Sequence, residues 1–154
     1  MNHLLNSMIA RAEGEYLERE AQEVIIDFVS ELPRRFDLMN ELAKSEGAIL
    51  EDTLDIFYKR FPMVAQRHRE TSPSGVRDLR LVLRYASMAY VLDDLRYLDE
   101  KLLSWLRPIL HSYLETEAID FAFSTLVSVS QDDLTKHVAE LISPYLERSR
   151  DLLV

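Results

Sequence analysis

From Ser74 to Leu114 the chain keeps a helical period almost without interruption, and this leaves little besides packed helices as a fold. Val76, Leu79, Leu83, Ala86 and Tyr90 recur at three- and four-residue steps, which stacks them along one helical face. Arg77, Asp78, Arg80 and Arg84 crowd the start of that helix, Asp93 and Asp94 close it, and a second helix resumes between Leu98 and Glu100. Nothing elsewhere alternates for long at period two, and three glycines in 154 residues argue against a turn-rich β fold. The chain reads as all-α and as one domain, long enough to bury a hydrophobic core.

The remaining segments follow the same period. Residues 3–14 read as a short amphipathic helix with Leu4, Leu5, Met8 and Ile9 on one face, and Gly14 is suited to end it. Residues 18–31 place Ala21, Val24, Ile25, Phe28 and Val29 at helical spacing before Pro33, which lacks an amide and breaks or opens a helix. Residues 34–45 (Phe36, Met39, Leu42) and, after Gly47, residues 48–60 (Ile49, Leu50, Leu54, Phe57, Tyr58) give two more helices. The polar run from Gln66 to Gly75 reads as the one long loop. Glu115–Val129 then forms a helix with Ile119, Phe123 and Leu126 inward. Ser130 with Asp133 resembles a capping box, and Leu134, Val138, Leu141 and Ile142 line a last helix carrying Pro144.

Charge narrows the partners. Lysine and arginine number 18 against 27 acidic residues, a formal net charge of −9. Such a surface repels nucleic acid and anionic lipid, whose non-specific binding depends on cations meeting phosphate. The absence of cysteine removes disulfides, thiol catalysis and thiolate metal sites. The N-terminus lacks the combined features of a secretory signal, and no apolar run approaches the roughly 20 residues that span a bilayer. The expectation is a soluble cytoplasmic protein without a transmembrane segment.

The central stretch resembles the bilin-bearing region of the phycobiliproteins, the light-harvesting subunits of cyanobacterial and red-algal antennae. Their C-x-R-D pattern meets Gly75-Val76-Arg77-Asp78, Y-Y-L-R meets the run Arg80 to Arg84, A-G-D meets Leu92-Asp93-Asp94, and D-E-Y-L meets Asp99-Glu100-Lys101-Leu102, all without a gap. Near the N-terminus, Ala10-Arg11-Ala12-Glu13-Gly14-Glu15-Tyr16-Leu17 stands in place of the family's A-D-x-x-G/A-R-Y/F-L, and Arg60-Phe61-Pro62 sits near its R-P pair. The resemblance implies a globin-like helical body, about residues 32–154, with an N-terminal helical hairpin, about residues 1–31, that packs on a partner subunit.

It also implies a pigment site and an interface. In the family the aspartate matching Asp78 accepts hydrogen bonds from two pyrrole N–H groups of an open-chain tetrapyrrole, and the arginine matching Arg77 pairs with a propionate. Gly75 stands where the family's thiol forms the thioether, so no covalent bilin can form here. Leu81 and Lys101 replace tyrosines that pack on the pigment, and the connection from Pro62 to Gly75 is shorter than the family's. What stays open is a non-covalent bilin, phycocyanobilin or biliverdin, held by Arg77 and Asp78; the alternative is a solvated Arg–Asp pair in a helix's first turn. At the interface, the family's N-terminal aspartate pairs across subunits with the arginine matching Arg84. Arg11 occupies that position, so Glu13 or Glu15 takes over, with Tyr16 alongside, or the subunits pair differently.

Catalysis finds no support. His3, His68, His111 and His137 are scattered; His111 alone sits in a strongly apolar helix, as a haem ligand would. Asp93-Asp94, Asp99-Glu100 and Asp132-Asp133 are helix-boundary acids, no metal-ligand spacing occurs, and no nucleophile motif is present. Trp105, Tyr85, Tyr90, Tyr97 and Tyr113 form an aromatic set that reads mostly as core. The sequence therefore points to a non-enzymatic, phycobilisome-associated accessory or regulatory subunit without covalent bilin, acting by assembly with itself or with phycobilisome subunits as a homo- or hetero-dimer. Its place would be the cytoplasm, at the cytoplasmic face of thylakoids through phycobilisomes. A non-covalent bilin-binding protein and a pigment-free globin-like sensor or dimerisation domain are the alternatives.

Overall fold

The computed structural model describes residues 2–71 and 74–154, with the side chains of 68–71 and 74 excepted. Every regular element among the described residues is helical: α1 (His3–Arg11), α2 (Arg19–Arg60), α3 (Pro62–Thr71), α4 (Ser74–Leu92), α5 (Leu95–Leu98), a π-helical turn (Asp99–Leu103), α6 (Ser104–His111), α7 (Thr116–Asp133) and α8 (Lys136–Leu153). α4 is the centre. Leu79, Val82, Leu83, Ala86 and Ala89 are all buried on it, against Leu38, Leu42, Ile49 and Leu50 of α2 and Val138, Ile142 and Leu146 of α8. The stripe read from sequence was too narrow here: Val82 and Ala89 are buried as deeply as Leu83, while Val76 and Tyr90 lie at its margins.

α7 closes the core with Ile119, Phe123, Leu126 and Val129, packing on both α2 and α8. A smaller cluster of Phe57, Ala118 and Ala122, flanked by Phe61 and Phe121, ties the end of α2 to the start of α7. This arrangement is the globin-like, all-α fold of the phycobiliproteins that the sequence implied.

The structure corrects several boundaries. Pro33 and Gly47 break nothing, because α2 runs unbroken for 42 residues, about 63 Å at 1.5 Å per residue. An interior proline costs about 3 kcal/mol through one lost hydrogen bond and a steric conflict. The turns on either side keep their bonds, and the buried residues from Leu38 onward anchor the helix to the core. Most of the expected loop is helical as well. Pro62 opens α3, where its missing amide costs nothing, and only Ser72 and Pro73 lie outside the described residues.

Ser130 caps no helix; it is buried inside α7, its hydroxyl without a partner among the described residues. α8 begins after Thr135, whose hydroxyl goes to Glu41 at 2.8 Å, and continues through Pro144. The second helix of the central hairpin begins at Leu95, earlier than expected, because the Asp94 carboxylate accepts the Arg96 amide at 3.1 Å and caps it. Asp93, at φ 52°, turns the chain between the two helices.

α1 is pinned to that same turn. Asn2 caps α1 by accepting the Leu4 amide at 2.8 Å, and its side-chain amide donates to the carbonyls of Leu92 (2.8 Å) and Asp93 (3.0 Å). The His3 amide donates to Asp94 at 2.7 Å. One side chain thus satisfies a free donor of α1 and free acceptors of α4. α1 ends at Arg11, so Gly14 lies in the turn beyond it, at φ +87°.

Gly47 and Gly14 give opposite expectations. Gly47 has no atom within 4 Å of where a Cβ would stand, and it lies mid-helix. Gly47→Ala should raise stability by about 0.5–1 kcal/mol. Gly14→Ala forces a Cβ into a left-handed residue and should lower it by about 1 kcal/mol. Urea unfolding of both variants against the parent protein checks the pair.

Candidate functional site

α4 enters the body through its second turn, and Asp78 is carried inward with Leu79. The carboxylate is only 2% exposed. Arg77 reaches back over it, Nε and Nη2 both 3.0 Å from Oδ1, while its own side chain stays 65% exposed. The other oxygen, Oδ2, accepts a hydrogen bond from the Tyr113 hydroxyl. A buried carboxylate is tolerable only when its oxygens have donors. Both are served here, one from the solvent side and one from the interior.

Tyr113 comes from the corner between α6 and α7. Its amide and that of Leu114 both donate to the Leu110 carbonyl, at 3.2 and 2.9 Å, which fixes the turn, and its ring packs against the main core. Arg77 and Asp78 stand together as a pair closed by a third residue, Tyr113, which the sequence read mostly as core. No short-range signal links positions 78 and 113; tertiary contact alone brings them together.

The residues present do not fit a thioether-bound pigment, and the buried carboxylate already has its donors. Leu81 is half-buried against the core and Lys101 is exposed. The Lys101 carbonyl, in the π-helical turn, accepts the Trp105 indole N–H at 2.7 Å. A metal or haem reading gains nothing. His111 Nε2 donates to the Leu153 carbonyl at 2.8 Å, which joins α6 to the end of α8. His3 lies 3.1 Å from an Arg96 nitrogen and His137 3.4 Å from one of Arg34, both at the surface. The side chain of His68 is outside the described residues. Among the described residues, no group of histidines and carboxylates could hold a metal.

Arg84, the expected interface cation, has an internal partner. Its Nε and Nη2 meet Glu46 Oε2 and Oε1 at 2.8 and 2.9 Å, a two-pronged pair, and Arg80 adds a third contact at 3.1 Å. The Arg84 hydrogen bonds lead in holding the Glu46 carboxyl below its ordinary value, against the opposing effect of burial, with both arginine charges assisting. The same bonds push the Arg84 guanidinium up. Glu46 sits beside Gly47 on α2 and gave no signal as a ligand of Arg84, 38 residues on. Arg11, Glu13, Glu15 and Tyr16 are all exposed, Tyr16 at 99%.

The N-terminal half of α2 leaves apolar residues uncovered. Ile26 is 64% and Val29 54% exposed, Phe36 is exposed, and Val24, Ile25, Phe28 and Leu32 are only half-buried. The helical stripe exists, yet this chain covers it only in part. A cleft of about 310 Å³ between α1 and the start of α2, lined by Met8, Arg11, Tyr16 and Ala21 among others, continues the same surface.

Glu46 makes stability depend on pH. Its folded pKa is lowered, so its contribution is complete above the unfolded value near 4.5 and is lost as the pH falls through the lower folded value. Glu46→Gln should cost about 1 kcal/mol at neutral pH, discounted for the solvent around the guanidinium groups, and should flatten the acid limb. Chemical denaturation at a series of pH values from neutral down past 4.5 checks both.

The comparisons with known proteins agree with this architecture. The family described as phycobilisome protein matches residues 8–153. The C-phycocyanin beta chain of Aglaothamnion neglectum is 30% identical over 103 residues, covering 64% of this chain and 60% of that protein, so the match spans less than two thirds of its length. The C-phycocyanin beta chain of Pyropia yezoensis is 27% identical over 158 residues, 91% of each chain. The C-phycocyanin-3 beta subunit of Microchaete diplosiphon is 29% identical over 104 residues, 64% of this chain and 60% of its own. With its helical core, its central Arg77-Asp78 pair and this match along nearly its whole length, the chain belongs to the phycobilisome protein family.

Proposed function

We propose that the protein is an accessory subunit of the phycobilisome light-harvesting system, carries no covalent bilin, and acts through helix-on-helix assembly. The observation that carries this reading is the uncovered apolar stripe on the N-terminal half of α2, where Ile26 and Val29 stand mostly in solvent. Fully burying an aliphatic side chain of this size gains about 1.5–3 kcal/mol. An exposed stripe of this kind marks an interaction surface more readily than a monomer's finished exterior.

On this reading residues 1–31 form the assembling hairpin and residues 32–154 the body of one domain, with α2 as the shared helix. The partner is a second copy or another phycobilisome subunit. Arg11, Glu13, Glu15 and Tyr16 border the contact. Arg84 enters it with its charge already met by Glu46, which relieves the conflict that two facing cations would create. No catalytic residue is assigned. The location that follows is the cytoplasm, at the thylakoid's cytoplasmic face through phycobilisomes; no described helix is long and apolar enough to cross a membrane. A pigment held by Arg77 and Asp78 has less support, since both oxygens of Asp78 have donors.

Sedimentation velocity tests the assembly. Ile26→Glu with Val29→Glu places two charges on an exposed surface, so the fold should survive and self-association, or association with added phycobilisome subunits, should weaken by tenfold or more, about 1.4 kcal/mol. Arg11→Asp should shift the same equilibrium. An unchanged profile in all variants would count against this surface.

A further inference from the structure

We infer that Arg35 and Asn2 form a latch between the N-terminal hairpin and the end of α4, and that Arg35 positions the exposed face of α2 for its partner. The positioning role rests on the assembly reading above; the latch itself does not.

Apolar packing does little to hold the hairpin. Between His3 and Asp37, Leu5 is the one fully buried residue, and α2 buries none before Leu38. A segment with so few buried contacts opens locally while the body stays folded, unless something else restrains it. The restraint is polar. The last carbonyls of a helix lack intrahelical partners. At the end of α4, the four successive carbonyls of Tyr90, Val91, Leu92 and Asp93 each accept from a side chain of the N-terminal segment. Asn2 Nδ2 donates to those of Leu92 and Asp93 at 2.8 and 3.0 Å, and Arg35 Nη1 to those of Tyr90 and Val91, both at 3.4 Å. Arg35 Nη2 also meets the Asp93 carboxylate at 3.1 Å.

The guanidinium suits this place. Its side chain is 15% exposed, the Phe28 ring lies 5.3 Å away, and a cation at a helix C-terminus is favoured by the macrodipole. The two anchors bracket the hairpin, Asn2 ahead of α1 and Arg35 beyond the exposed Ile26 and Val29. With both ends fixed to one turn of the body, α1 and the N-terminal half of α2 keep one orientation. A partner then meets an ordered face and does not have to order it.

The chain has no cysteine, so spin labels at Tyr16→Cys (99% exposed) and at Glu140→Cys on α8 (64% exposed) read the distance from hairpin to body. Labelled full chain is diluted into excess unlabelled protein, so that only distances within one chain are measured, and amide hydrogen exchange is followed on the same variants. Arg35→Met removes the guanidinium and keeps an apolar stem. Asn2→Ser keeps a capping oxygen for the Leu4 amide and loses the amide donor. The parent should give one narrow distance distribution, and each variant one at least about twofold broader. Exchange across the hairpin amides should rise by about tenfold or more, with α7 and α8 changed by less than about twofold. Arg35→Lys, which keeps a donor but not the fork, should fall between parent and Arg35→Met.

Unchanged distance widths in both variants would overturn the latch. So would equal loss of protection in α7 and α8, since the two residues would then support the fold at large. Sedimentation velocity, with the protein alone and with added phycobilisome subunits, reads the positioning role. Arg35→Met should weaken association by about tenfold; association left intact by a loosened hairpin would overturn that role. A parent that associates with neither would remove the assembly reading and the positioning role with it, while the spin-label distances still decide the latch.

Discussion

The contact on which the structure depends is the burial of α4 between α2 and α8. Val82, Leu83, Ala86 and Ala89 are at most 1% exposed, and the two alanines keep that face of the helix shallow. Everything of functional interest is placed by this contact. It sinks Asp78 toward the α6–α7 corner, holds Arg80 and Arg84 along α2 within reach of Glu46, and presents the α4–α5 turn to Asn2 and Arg35. A large cavity-forming change on α4 would disturb all of these together, because close-packed interiors transmit strain instead of absorbing it.

The charged groups share one pattern. Asp78 and Arg84, which the family resemblance assigns to a pigment and to a partner subunit, both have partners within this chain. Asp78 takes donors from Arg77 and Tyr113, and Arg84 takes both oxygens of Glu46. A protein that lost an external partner while keeping a buried carboxylate would incur the desolvation cost of an unpaired charge. Local partners remove that cost. The same logic governs the N-terminus, where Asn2 supplies donors to carbonyls at the end of α4.

Much of this was legible in the sequence. The helical period from Ser74 to Leu114, the closing aspartates, and the inward positions of Ile119, Phe123, Leu126, Val138 and Ile142 all follow from side-chain spacing, which local physics dictates. The boundaries at Pro33, Gly47 and Ser130 did not, because each residue's local preference is worth only a few kcal/mol or less and is outweighed by packing along the same helix. The partners Glu46 and Tyr113 were not legible either. Each lies more than thirty residues from the group it serves, and only tertiary contact brings them together.

The most instructive disagreement lies in α2. Its sequence carries apolar residues at helical spacing in each segment from Ala21 to Tyr58, yet the chain fully buries them only from Leu38 onward. Periodicity records that a face is to be covered; it carries no mark of which molecule covers it. A stripe selected to pack on a neighbouring subunit obeys the same spacing as one selected to pack on the chain's own core. The distinction appears only when the remaining helices are in place and fail to reach Ile26 and Val29. The proline at position 33 falls near the point where the two regimes meet, on a helix that remains unbroken through it. On the assembly proposed above, the N-terminal half of α2 is core whose other half lies in a partner.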